Sequence, residues 1–456
     1  MRGIYCPSAL LPTGWAENVR IEFDETGTIA TIRPNAERGA LPPAAGPVLP
    51  GMPNLHSHAF QRAMAGLTER VGPSGDTFWT WRKVMYEVAD RMTLETVEAT
   101  AAQLYVDMLK NGYTAVGEFH YLHHANDGHP YAQRALLSHR VISAARQVGI
   151  GITHLPVLYA HSTFGATPPT HGQRRFVNDL KGFAEILEDL TDAYRHHQQV
   201  RIGIAPHSLR AVSPELLRDV LALLDDLDAT APIHIHIAEQ EKEVADCVAW
   251  CGRRPVEWLL DHAAVSERWC LVHATHMTPD ETTALAETGV VAGLCPTTEA
   301  NLGDGLFPTA AFLKAGGRFG LGSDSHISVS PSEELRLLEY EQRLTRHQRN
   351  VLHTGDSPSV GMGLYAAALE GGARAVGRAV GRLAPGYRAD LVVLDADQPL
   401  LYGKTDDRVV DTYVFAGGGE LVRDVIVGGN HVIQEGRHPS EEAIAARYRA
   451  AVASLA

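Results

Sequence analysis

Short apolar runs alternate along this chain with stretches of helical periodicity, and most of the runs end in polar residues. The strand candidates are 47–56, 114–120, 151–159, 201–206, 232–238, 269–274, 290–295 and 318–323. Helical stretches such as Pro214 to Leu227 and Pro331 to Leu344 separate them. Ser330-Pro331-Ser332-Glu333 predicts a helix start with an N-cap serine, a first-turn proline and a glutamate at the third helical position. Eight strands alternating with helices predict a (β/α)8 TIM-like barrel. An open doubly wound sheet would bring a Gly-rich phosphate loop after its first strand. The chain has none, so the barrel is favoured.

Both ends read as β-rich. Val19 to Phe23 and Ile29 to Ile32 flank the turn Asp24-Glu25-Thr26-Gly27, while Ala389 to Leu394 and Val422 to Val427 stand near the other terminus, with Gly428-Gly429-Asn430 as a turn. Neither end has enough strands for a stable sheet. They are expected to combine into one small composite β-sandwich domain, built from 1–48 and from 381–456, which also carries a terminal helix; the barrel takes 49–380. Two long connections, Phe60 to Met92 and His161 to Phe176, follow the first and third strands, where barrel loops cover a site.

Composition narrows the partners. The formal net charge of −14 over 456 residues argues against nucleic acid or an anionic membrane. The five cysteines are odd in number and unclustered, which suits a reducing compartment, and Cys247 and Cys251 share a helical face for packing. No signal-like start or membrane-length apolar run is present, so a soluble, cytoplasmic protein is expected.

Polar residues at the strand ends supply the chemistry. The first strand ends in His56-Ser57-His58, whose histidines at i and i+2 leave an extended chain on one side. The fourth leads into His207-Ser208-Leu209-Arg210, the fifth reads Ile233-His234-Ile235-His236-Ile237-Ala238-Glu239, the sixth ends in His273, and the eighth in Ser323-Asp324. A lone strand-end histidine is more often a satisfied core residue, and an Asp after Gly-Ser is more often a turn or cap. Several such groups on separate strand ends of one rim reverse that preference. His56, His58, His236 and Asp324 then make a nitrogen and oxygen shell for zinc or iron. Glu239, three residues past His236, is placed for acid/base work beside a metal. His234 shares the facing of His236 one layer deeper and is read as a buried, hydrogen-bonded residue.

Taken together these residues resemble the amidohydrolase superfamily, in its mononuclear deaminase branch, over nearly the whole chain. No lysine stands at the end of the fourth strand, where binuclear members carry a bridging carboxylated lysine. Met52 to Gly66, Gly117-Glu118-Phe119-His120-Tyr121, Ala205 to Arg210 and His234 to Gln240 are similar to the N-formimino-L-glutamate deiminases of histidine breakdown. The resemblance implies one divalent metal ion, Zn2+ with Fe2+ as the alternative, held by His56, His58, His236 and Asp324. It implies Glu239, His273 and Asp324 as catalytic groups, and Gln61, Arg82, Tyr121, His207 and Arg210 as contacts to a small acidic substrate. Arg82, within Trp79-Thr80-Trp81-Arg82-Lys83, would otherwise read as a surface arginine. Barrel hydrolases of this size often pair, so a homodimer is expected by analogy.

The implied reaction replaces the formimino nitrogen by water oxygen and releases ammonia and N-formyl-L-glutamate. Two substrate carboxylates call for cations in an otherwise acidic protein, and the planar forks of Arg82 and Arg210 suit them. A nucleobase deaminase of the same superfamily is the nearest rival; its pocket would offer aromatic stacking and amide contacts rather than two arginines. A non-catalytic binding protein on this fold would lack the ligand set.

Overall fold

All eight apolar runs fold into strands of one parallel sheet. These are β1 (Met52–Ser57), β2 (Tyr113–His120), β3 (Gly151–Leu158), β4 (Val200–Ile202, resuming at Ala205–Pro206), β5 (Ile233–Ile237), β6 (Trp269–His273), β7 (Val291–Leu294) and β8 (Arg318–Leu321). The computed structural model describes residues 2–71, 77–353 and 357–455. Hydrogen bonding runs in the order β5-β6-β7-β8-β1-β2-β3-β4, and the bridges Ile204–Ile233 and Ser208–His236 join β4 back to β5. The sheet is thereby closed into the expected barrel. Every residue of β2, β3, β5 and β6 is buried, because side chains fill the inside and helices cover the outside. That two-sided burial is why the runs are largely apolar, with β5 departing from it where His234 and His236 alternate with isoleucines.

The first predicted run divides in two at Gly51. Val48–Pro50 joins the terminal sheet, and β1 begins at Met52. A side chain at Gly51 would meet Thr114 at 2.2 Å, so the crossing between the two sheets needs glycine. β4 is interrupted at Gly203, where a Cβ would come within 2.5 Å of the Pro232 carbonyl.

The two chain ends meet in one seven-stranded sheet. Leu391–Leu394 pairs antiparallel with Val48–Pro50, and Arg2–Leu11 pairs with Val48–Pro50 in parallel at Ala9. Cys6, Val19 and Ile21 from the start share a separate core with Leu391, Val393 and Ile426 from the end. The predicted turn at Asp24 forms, its Oδ1 accepting from the N–H groups of Thr26 and Thr28 at 2.9 Å each. The terminal helix Glu441–Leu455 instead docks on the barrel helix Leu94–Lys110, where Lys110 Nζ lies 2.5 Å from Glu441 Oε1.

The helix predicted from Pro214 spans Pro214–Asp228 and is capped by Ser213, whose Oγ accepts from Leu216 N–H at 3.3 Å. The helix Pro331–Arg346 starts where expected but without its capping box. Ser330 Oγ bonds Ser332 Oγ at 2.9 Å, and the Glu333 carboxylate accepts from the Ser328 hydroxyl. A neighbouring hydroxyl at each group outcompetes the helix backbone. The Phe60–Met92 connection carries a 3-10 turn (Ala59–Met64) and the helix Phe78–Arg91; its residues 72–76 lie outside the described ones. Among the described residues no helix is long and apolar enough to cross a membrane.

Candidate metal centre

The C-terminal ends of β1, β5 and β8 bring His56, His58, His236 and Asp324 together. The Nε2 atom of His56 lies 3.1 Å from Nε2 of His58 and 3.1 Å from Nε2 of His236. Asp324 Oδ1 lies 3.3 Å from Nε2 of both His56 and His58. Four donors placed tetrahedrally around a cation at 2.0–2.1 Å stand roughly 3.3 Å apart. The distances therefore fit one metal ion, and three imidazoles with one carboxylate suit zinc. All four residues are buried.

Burial also prepares the ligands. It holds the pKa of His58 down to about 3 and those of His56 and His236 well below the ordinary imidazole value, so each presents a lone pair. His58 donates from Nδ1 to the Phe119 carbonyl at 2.8 Å, which leaves Nε2 as the free donor atom. The strand argument for the pair is only part of the story. The β1–β2 register shifts between Asn54 and Ser57, and His58 stands one residue past the strand.

The backbone turns sharply at the same rim. Ala238, His273, Ala274, Asp324 and His326 all have positive φ, between 41° and 69°. Non-glycine residues avoid this region, and its concentration at the strand ends is of the kind found where side chains must be aimed.

Glu239 and His273 face the centre from β5 and β6. His273 Nε2 lies 3.8 Å from Glu239 Oε1 and 3.8 Å from Asp324 Oδ2, while its Nδ1 lies 3.3 Å from Glu299 Oε1. Burial alone lowers an imidazole, but at His273 the surrounding carboxylates, Glu239 foremost, outweigh it and push the pKa up to about 10. Burial raises Glu239 to about 6 against the opposing pull of His273 and Arg210. A cationic imidazole and a carboxyl that titrates near neutrality thus share one pocket.

A cavity opens above them, and every sequence-predicted site residue except His56 lines it. Gln61 donates from Nε2 to Tyr121 Oη at 2.8 Å. Arg82 lies over the Trp79 ring at 4.4 Å and, among the described residues, has no carboxylate partner. Arg210 is buried between two carboxylates, 3.9 Å from Glu239 and 3.7 Å from Glu243. The His207 ring packs edge-on against His236, centroids 5.0 Å apart. His234 is fully buried and bonds the Ala375 carbonyl through Nε2 at 2.8 Å, away from the centre.

The profile of the Amidohydrolase family matches residues 48–432, and that of the "Formimidoylglutamate deiminase HutF, N-terminal domain" matches residues 1–41. The chain belongs to the amidohydrolase family. It is 54% identical over 446 residues to the formimidoylglutamate deiminase of Pseudomonas aeruginosa, covering 97% of each chain. Among solved structures, an amidohydrolase from Brucella melitensis superimposes over 100% of both chains with a TM-score of 0.94 and 48% identity. An adenosine deaminase from Xanthomonas campestris with bound zinc covers 99% of this chain and 98% of its own, at a TM-score of 0.82 and 23% identity, which speaks to the shared fold.

Within this amidohydrolase site, sequence reasoning left several groups unassigned. Trp81, Tyr86, Tyr159 and Phe176 also line the cavity, from the two long connections and the end of β3. Glu299, Glu118 and His326 stand behind the ligands and are fully enclosed. Glu118 lies inside a motif that marked the family, and His326 follows Asp324 by two residues; that adjacency was the available signal.

Proposed function

We propose that this amidohydrolase deaminates N-formimino-L-glutamate hydrolytically, yielding N-formyl-L-glutamate and ammonia, with one zinc ion held by His56, His58, His236 and Asp324. The observation that carries the substrate is the 54% identity, over 97% of both chains, to the Pseudomonas aeruginosa formimidoylglutamate deiminase. The cavity supports it: Arg82 and Arg210 both line it, and they suit a substrate with two carboxylates.

When bound, zinc lowers the pKa of water to about 7 and so supplies a nucleophile at neutral pH. Asp324 accepts the proton that the attacking water loses. The imidazolium of His273, 3.8 Å from Asp324 Oδ2, donates toward the oxygen as negative charge develops on it. Glu239 in its protonated form passes a proton to the departing nitrogen. As the C–N bond breaks with ammonia as the leaving group, the added hydroxyl gives its remaining proton back to Glu239, so that a formyl C=O remains. Arg82 and Arg210 hold the two carboxylates, and Gln61, Tyr121 and His207 line the path between them and the centre. The aromatic walls exclude water.

The five cysteines are free, which suits a cytoplasmic enzyme, and by family analogy the working unit is a homodimer. The test of the substrate is a panel: zinc-loaded protein is given N-formimino-L-glutamate, adenosine and guanine, and ammonia is measured. Turnover of the first alone is expected; turnover of a nucleobase or nucleoside without it would overturn the reading.

A further inference from the structure

Behind the four ligands, on the side away from the cavity, lies a buried polar network outside the reaction chemistry. His326 spans the two strand ends that carry His58 and Asp324. Its Nε2 accepts the backbone N–H of His58 at 3.2 Å, a donor shared with the Asp324 carbonyl at 3.3 Å, and its Nδ1 donates to Ser323 Oγ at 3.0 Å. Nε2 can accept only if the proton sits on Nδ1, so the two bonds select one tautomer between them. Ser323 is tied onward, accepting from Asn54 Nδ2 at 2.6 Å, two residues before His56.

Glu118 grips the same segment from the β2 side. Its Oε1 accepts the Ala59 N–H at 2.7 Å, and its Oε2 accepts the Ser57 hydroxyl at 2.6 Å and the Tyr105 hydroxyl at 3.1 Å. Ser57 and Ala59 flank His58 in sequence, so the three residues on which this ligand depends are fixed by two side chains. Ser57 Oγ also lies 3.2 Å from His326 Nε2, where the two grips meet. Ser57, Ser323 and His326 are 0% exposed and Glu118 is 1% exposed.

This segment needs holding. The β1–β2 pairing is irregular between Asn54 and Ser57, and His58 has already left the strand. On the other side Asp324 and His326 both have positive φ. Backbone pairing here is reduced to one isolated bridge, in which Asp324 N–H donates to the His56 carbonyl at 3.1 Å and His58 N–H to the Asp324 carbonyl at 3.3 Å, although the donor atoms must stay within a few tenths of an ångström of a tetrahedral arrangement.

We infer that Glu118 and His326 are positioning residues which brace the His56-Ser57-His58 segment against Asp324 and so set how tightly the site holds its cation. Neither touches substrate or ligand donor atoms; each acts through backbone or hydroxyl groups beside them. The inference rests on the four-residue cation site of the proposed function but not on the identity of its substrate.

The test reads zinc binding alone. Metal-free wild type, Ser57→Ala, His326→Asn and His326→Gln are titrated with Zn2+ against a competing chelator, and unfolding of each metal-free protein is followed separately. Ser57→Ala removes the hydroxyl that Glu118 holds. His326→Asn keeps a donor near Ser323 but is too short for the His58 N–H, whereas His326→Gln reaches the His58 N–H and loses the Ser323 bond.

Zinc affinity is expected to fall about 10- to 100-fold in each variant, the usual range for groups that orient metal ligands, while the metal-free unfolding midpoint of Ser57→Ala stays at that of wild type. Unchanged zinc affinity in Ser57→Ala and His326→Asn would overturn the brace, as would an affinity loss that follows metal-free instability in every variant. A wild type that binds no zinc would instead reject the cation site itself.

Discussion

Arg210 Nη2 stands 3.9 Å from Glu239 Oε2, so the arginine assigned to a substrate carboxylate and the carboxyl assigned to proton transfer form one electrostatic unit. Glu243 completes it, 3.7 Å from Arg210 Nε and accepting the Glu239 backbone N–H at 3.0 Å. From sequence, Arg210→Ala is expected mainly to raise KM. The structure adds an effect on kcat, because the substitution leaves two buried carboxylates without their shared cation. KM is predicted to rise roughly 10-fold or more, as expected for loss of a charged hydrogen bond, and kcat to fall with it. Steady-state kinetics showing either parameter unchanged would contradict this coupling.

Arg82 provides the contrast. It packs on Trp79 and has no carboxylate partner among the described residues. Arg82→Ala should therefore raise KM by a similar factor of roughly 10 while kcat stays near wild type. A fall in kcat with KM unchanged would remove Arg82 from carboxylate binding.

Glu239 lies outside the four-residue ligand set. Glu239→Gln is predicted to lower kcat by roughly 10^2- to 10^4-fold, the usual worth of a positioned acid/base group, and to leave the zinc content at that of wild type. Asp324→Asn should lose both activity and zinc affinity, because Asp324 is proposed both as a ligand and as the acceptor of the water proton. Metal analysis beside the rate assay separates the two roles; a fully active Asp324→Asn protein would reject the assignment.

A group of buried histidines on and beside β2 and β3, apart from the metal centre, predicts acid sensitivity. The rings of His120 and His154 lie 5.3 Å apart and those of His120 and His123 5.9 Å. Burial foremost, with His123 and His139 adding to it, holds His154 down to about 3. Burial likewise depresses His120 and His123. Unfolded imidazoles titrate near 6.5, so below that pH the unfolded chain binds protons that the folded chain does not. Stability is thus full above about pH 6.5 and is lost as pH falls toward about 3. The denaturant midpoint of the metal-free protein should drop between about pH 6.5 and pH 4.5, and His154→Leu should make that drop shallower. The same pH dependence in wild type and variant would contradict the assignment.

Much of this architecture is legible in the sequence because buried parallel strands advertise themselves. β2 and β5 are buried at every position, and the polar groups at or just past their ends, His120 and Glu239, mark the rim. The ligand set is legible for a second reason, since metal donors are few in type and fall at the strand ends. Groups that act through space are not. Glu118 is brought to Ser57 across 61 residues and His326 to Ser57 across 269. The cavity walls Tyr86 and Phe176 come from separate connections whose packing no local pattern encodes. Local competition was also hidden: Ser330 and Glu333 have the spacing of a capping box, yet Ser332 and Ser328 take their side chains.

The central claim concerns which C–N bond of the formimino group is broken, and the products decide it. Zinc-loaded protein is incubated with N-formimino-L-glutamate in 18O-labelled water, and the products are resolved by NMR and mass spectrometry. The account predicts one ammonia for each N-formyl-L-glutamate, with the label in the formyl oxygen, and no such products from metal-free protein. Formamide and free L-glutamate, from cleavage of the other C–N bond, would contradict it, as would an unchanged substrate.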